Sequence, residues 1–110
     1  MIIVAGHIRV APADRDAFLS RSREAIELAR SAHGCHDFYV AADPLDAERI
    51  NVYERWTDRI ALYAFRGDGP DDELSASILS ASVDEFDVSP SRHPPVAAPA
   101  EPDRSARDAK

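Results

Sequence analysis

The chain predicts a small α+β domain of the ferredoxin-like, split β-α-β kind, an antiparallel four-stranded sheet with helices on one face. Three observations predict it. Apolar residues recur with period two over residues 2–10, 35–42 and 49–56. Phe18, Ser22, Ala25, Ala29 and Ala32 recur at helical spacing between the first two of those stretches. A further helical stretch and a last strand follow the third, so the order reads β-α-β-β-α-(α)-β.

Each element has a local reason. In the first strand Ile2, Val4, Gly6, Ile8 and Val10 form an apolar set that should face the helices. Ile3, Ala5, His7 and Arg9 form a mixed set that should face something partly polar. Pro12 and Asp14 are expected to begin the first helix, with Asp14 and Asp16 favourable against its N-terminal dipole. Arg30 and His33 lie in its last turn and Gly34 supplies the left-handed stop. The second strand should place His36, Phe38 and Val40 on one side and Asp37 and Tyr39 on the other. Asp43-Pro44-Leu45-Asp46 reads as a turn, which makes the second and third strands a hairpin. Thr57 can cap a second helix over residues 58–65, with Ala61, Ala64, Phe65 and Ile60 toward the core. A short helix over residues 72–79 and a last strand through Val83, Phe86 and Val88 complete the domain, which should span residues 1–89. Residues 90–110 carry five prolines among small and charged residues and read as a disordered tail.

Composition excludes several classes. At 110 residues there is room for one core. A net charge of −7 argues against attraction to nucleic acid or anionic lipid, both polyanions. No apolar run approaches the ~20 residues that span a bilayer. The N-terminus reads as a strand and not a signal peptide. A single cysteine, Cys35, allows no intrachain disulfide and fits a reducing cytoplasm.

The third strand, Arg49-Ile50-Asn51-Val52-Tyr53-Glu54-Arg55-Trp56, carries the chemistry. Ile50, Val52, Glu54 and Trp56 share one face, so a carboxylate and the only tryptophan lie among aliphatics. A buried indole N–H needs an acceptor, and a buried carboxylate needs a donor or must neutralise. An apolar wall with a few polar groups is also how a small-molecule pocket is lined. Helices can cover only one face of this sheet. The other carries Ile3, Ala5, Tyr39, Asn51 and Tyr53, and a second copy is expected to pack there.

These motifs resemble the antibiotic biosynthesis monooxygenase superfamily of dimeric α+β barrels. The resemblance rests on Gly34-Cys35, Asp43-Pro44, Arg49-Ile50 and Glu54-Arg55-Trp56, and runs from Ile2 to about Val88. It implies a homodimer built through the open sheet face. In the monooxygenase members it implies oxidation of a phenol, quinol or anthrone by dioxygen, with no metal, flavin or other cofactor. The protein would remove a proton, stabilise the anion and keep the pocket dry. The chain departs from the pattern at Val52, where those members carry asparagine, with Asn51 on the opposite face. It departs again at Leu62, where they carry tyrosine, with Tyr63 one place on. Heme-degrading members need a tryptophan and a histidine where this chain has Phe65 and Ser75, which argues against heme degradation.

The candidate catalytic residues are Trp56, Glu54, His36 and Tyr63. Phe38, Leu62, Phe65, Arg66 and Val52 are the candidates for contact with substrate. Each has a plainer reading. Trp56 is a core anchor or a pocket wall. Glu54 is a general base, or is held ionised by Arg9 or Arg49. His36 is a proton acceptor, or a strand-end histidine bonded to backbone. Tyr63 points into the pocket or covers the second helix, and Arg66 orients an anionic substrate or serves the helix C-terminus. His33, Cys35 and His36 diverge around a helix end and do not read as a metal site. A monooxygenase acting on a small aromatic is the leading expectation. A non-catalytic dimeric module that binds a small metabolite, or serves a stress response, is the competitor.

Overall fold

The computed structural model describes residues 1–67 and 75–90. Strand β1 (Ile2–Val10) leads through a 3-10 turn at Pro12–Asp14 into helix α1 (Arg15–Arg30). Strands β2 (Cys35–Ala42) and β3 (Arg49–Trp56) form a hairpin, helix α2 (Arg59–Arg66) follows, and β4 (Ile78–Asp87) closes the order. The four strands lie as β2-β3-β1-β4 and every pair is antiparallel. This is the ferredoxin-like α+β sheet that the periodicity predicts, open at both edges. The residues expected in the tail beyond Pro90 lie outside the described ones. Among the described residues no helix is long and apolar enough to cross a membrane.

Alternation decides which face is covered. Ile2, Val4, Ile8 and Val10 of β1 and Ile50, Glu54 and Trp56 of β3 are buried, and the helices pack on that face. The core falls into two clusters. One joins Ile2, Val4, Phe38 and Trp56 to Ala29 of α1 and to Ala61 and Leu62 of α2. The other joins Ile8, Val10 and Ile50 to Phe18 of α1. Ser22 is buried on α1 and satisfies its hydroxyl by donating to the Phe18 carbonyl at 2.8 Å.

Several boundaries differ from the expected ones for identifiable reasons. Pro12 and Asp14 precede the α-helix instead of beginning it, because Asp14 N–H bonds the Ala11 carbonyl at 2.8 Å in a tighter turn. Asp58, not Thr57, caps α2, its carboxylate accepting from Ala61 N–H at 2.9 Å. The inner side of α2 is Ala61, Leu62 and half-buried Phe65, whereas Ile60 is 80% exposed and Ala64 is exposed. Ile78 and Leu79, expected to end a helix, open β4, since the ladder to β1 runs on to Ile78 opposite Val10. Ser75 and Ala76 are helical, and residues 68–74 lie outside the described ones.

Gly34 has two reasons to be glycine. Its φ is +84°, in the left-handed region, and a Cβ there would stand 2.5 Å from the Ala61 Cβ. Its carbonyl also accepts from Thr57 N–H at 2.8 Å, tying the end of α1 to the start of α2. Gly34→Ala combines backbone strain with a clash against α2. It is expected to destabilise the fold by about 2–4 kcal/mol in urea unfolding. A loss near zero would show that α2 moves away freely.

Candidate functional site

Side chains directly opposite in an antiparallel sheet share a face, so the register builds the site row by row. One row across the inner face is Phe38, Glu54, Val4 and Glu85, one residue from each strand. The row on one side of it is Cys35, Trp56, Ile2 and Asp87. The row on the other side is Val40, Val52, Gly6 and Val83. Glu54 therefore stands between Trp56 and Val52, as the alternation of β3 predicts.

The indole is enclosed. Trp56 has no exposed surface, and its Nε1–H donates to Glu54 Oε1 at 3.0 Å. The Phe65 ring lies 5.4 Å away and Phe38 meets Phe65 edge-on at 5.9 Å. Leu62 is fully buried beside them. The space expected to form a chamber around Trp56, Phe38, Phe65 and Leu62 is thus filled by those side chains. The row on the far side of Glu54 is less enclosed. Val40, Val52, Gly6 and Val83 are all half-buried, and Gly6 has no side chain to raise a wall there.

Glu54 is only 8% exposed, and burial pushes its carboxyl above the usual carboxylate range. The indole bond and the Arg66 guanidinium pull the other way, and the Glu85 carboxylate adds to the rise. Arg9 and Arg49, expected as ion partners, are on the opposite face of the sheet. Arg9 pairs with Asp46 at 2.9 Å and Arg49 lies 3.7 Å from Asp43. Glu54 is therefore held by an indole and not by an arginine. Among the described residues no donor meets its Oε2.

His36 is not beside Phe38. Cys35 pairs with Trp56 and Asp37 with Arg55, so His36 is the extra residue of a β-bulge. It is exposed, with Nε2 2.9 Å from the Thr57 hydroxyl, and it does not face Glu54. Cys35 turns inward in its place, and burial raises its thiol, which makes it a poor nucleophile. Tyr63 and Arg66 form a clasp to β4. Tyr63 donates to Glu85 Oε1 at 2.9 Å, Arg66 to Oε2 at 3.0 Å, and Arg59 lies 3.5 Å from Oε1. Tyr63 is 48% exposed and covers the seam between α2 and β4. The tyrosine bond, then the Arg66 bond, hold the Glu85 carboxyl below its usual range. Glu85 was missed from sequence, although its parity with inward Val83 was a usable signal.

Two open grooves flank this core. One of about 340 Å³ is lined by Ala32, His33, Thr57, Asp58, Ile60, Ala61, Ala64 and Phe65. The other, about 350 Å³, is lined by Arg30, Cys35, His36, Asp37, Phe38 and Tyr39. Neither is lined by Trp56 or Glu54.

Fold and site define a small α+β protein with an acid–indole pair under its helices. The family model for antibiotic biosynthesis monooxygenase matches residues 1–69, and the chain belongs to that family. Solved structures are similar in fold. An antibiotic biosynthesis monooxygenase superposes with a TM-score of 0.67 at 22% identity, over 82% of this chain and 100% of that one. A Nitrosomonas europaea protein named for the same family gives 0.71 at 16% identity, over 80% and 98%. A conserved protein of Methanosarcina mazei gives 0.67 at 20%, over 77% and 89%. An uncharacterized Synechocystis protein is 34% identical over 61 residues, 56% of this chain but only 42% of that protein's length.

A carboxyl whose folded pKa is raised contributes stability below the ordinary carboxylate range and loses it as pH rises through the folded value. Glu54→Gln keeps an oxygen for the indole and removes the charge. The melting temperature of the wild type is expected to fall relative to Glu54→Gln as pH rises from about 4 to about 8. A difference that stays flat would show that burial does not raise Glu54.

Proposed function

We propose that the chain is a cofactor-independent monooxygenase acting on a small phenol, quinol or anthrone, with Glu54 as the general base. The observation that supports it is a buried carboxylate of raised pKa whose single described partner is an indole N–H. The substrate would lie over the Val52–Gly6 row, its acidic proton toward Oε2, with Arg66 on the side where negative charge develops. Trp56 would fix the carboxylate from behind, so its role is to orient the base and not to touch the ring. With an anthrone, Glu54 removes one methylene proton and the carbanion is oxidised by dioxygen. One oxygen atom becomes the new carbonyl and the other leaves as water with both methylene hydrogens, so the substrate supplies all the electrons.

A second reading is favoured by the filled space around Trp56: a dimeric module that binds a small molecule without transforming it. Oxygen consumption separates the two. Purified protein is expected to consume dioxygen with one or more of a panel of hydroquinones and anthrones. Glu54→Gln should lower kcat by about 10²–10⁴-fold with the fold retained. Absence of uptake across the panel, with Trp56 emission changed by a bound ligand, would support the module. A co-purifying flavin or heme would sink the cofactor-free chemistry.

A further inference from the structure

Glu54 and Glu85 stand in one row on either side of Val4, and Arg66 of α2 has both carboxylates within its field. It bonds Glu85 at 3.0 Å and makes no bond to Glu54. We infer that Glu85 is a positioning residue for the Glu54–Trp56 pair: it holds Arg66 away from Glu54, leaving the indole as the partner of that carboxylate among the described residues. The catalytic consequence rests on the reading of Glu54 as a base. The geometric claim does not.

The clasp has a physical reason to favour Glu85. The Glu85 side chain is 28% exposed and Glu54 is 8% exposed, so an ion pair with Glu54 would strip more water from the guanidinium. Both oxygens of Glu85 are engaged, Oε2 by Arg66 and Oε1 by Tyr63 with Arg59 nearby, which fixes the carboxylate at the seam of α2 and β4. Remove that anchor and Arg66 faces one remaining carboxylate in its row. A cation there would stabilise the ionised form of Glu54 and weaken it as a proton acceptor. Among the described residues the charged groups that act on Glu54 are Arg66 of α2 and Glu85 of β4, and Cys35 of β2 feels the charge of Glu54.

Trp56 is the only tryptophan, so its indole Nε1–H gives one resonance that reports the protonation of the carboxylate it bonds. The experiment follows that resonance against pH by NMR in the wild type, Glu85→Gln, Arg66→Met and the double variant. Glu85→Gln is expected to lower the midpoint by about one pH unit or more. Arg66→Met should raise it, and in that background Glu85→Gln should shift it by less than half as much. A residue that merely tethers α2 would lower the melting temperature and leave the midpoint in place. An unmoved or higher midpoint in folded Glu85→Gln overturns the inference, as does a wild-type resonance insensitive to pH. Should Glu85→Gln not fold, Glu85→Asp keeps the charge but withdraws it from Arg66. It is expected to shift the midpoint the same way by a smaller amount, and an unmoved midpoint there overturns the inference equally. Oxygen uptake plays no part in this readout. A lowered midpoint with no uptake removes the enzyme assignment and keeps the role of Glu85; uptake with an unmoved midpoint does the reverse.

Discussion

The hydrogen bond from the Trp56 indole to the Glu54 carboxylate is the constraint around which this domain is arranged. A carboxylate on the inner face of a sheet is costly unless a donor meets it, and an enclosed indole N–H needs an acceptor. Two residues apart on β3, each supplies what the other lacks. The pair is neutral on the donor side, so the indole satisfies hydrogen bonding without the charge compensation a guanidinium would bring. Burial outweighs the indole bond and the Arg66 charge that oppose it, and that gives the carboxyl its raised proton affinity.

The rest of the fold serves that enclosure. The β2 bulge turns His36 out to Thr57 and lets Cys35 pack inward against the tryptophan row. The positive φ of Gly34 and its missing Cβ let α2 come down with Ala61 against Gly34, which brings Leu62 and Phe65 over the indole. The clasp at Glu85 then closes the other side of α2 onto β4. The tryptophan side of Glu54 is fully enclosed, whereas the residues of the Val52–Gly6 row are half-buried.

Much of this was legible in the sequence because period-two alternation is a local property. The face shared by Ile50, Val52, Glu54 and Trp56 follows from strand geometry alone. The same arithmetic could have excluded Arg49 as a partner of Glu54, since their parities place them on opposite faces. The place of His36 is not legible in β2 alone, because a bulge is set by the pairing of two strands and not by one strand's pattern. Its only trace is that Cys35 and Phe38, both apolar, have opposite parity and cannot both face inward without an extra residue between them. The clasp was hidden for a related reason. Val83, Phe86 and Val88 read as one strand by hydrophobicity although they mix parities, and hydrophobicity alone does not mark the inward series Val83 and Glu85. Asp58 and Thr57 are both good capping residues in adjacent positions, and only the first turn of α2 chooses between them.

Family membership and fold agree on a monooxygenase-type architecture. The charge state of one side chain, Glu54, decides what this inner face can do. The direct measurement is a carbon-13 NMR titration of the Glu54 carboxyl, assigned against Glu54→Gln. A midpoint clearly above that of an ordinary glutamate is the result expected of a carboxyl buried against an indole. A midpoint at or below the ordinary value would mean that a cation or water compensates it, and neither a base nor a clasp that shields it would then be needed.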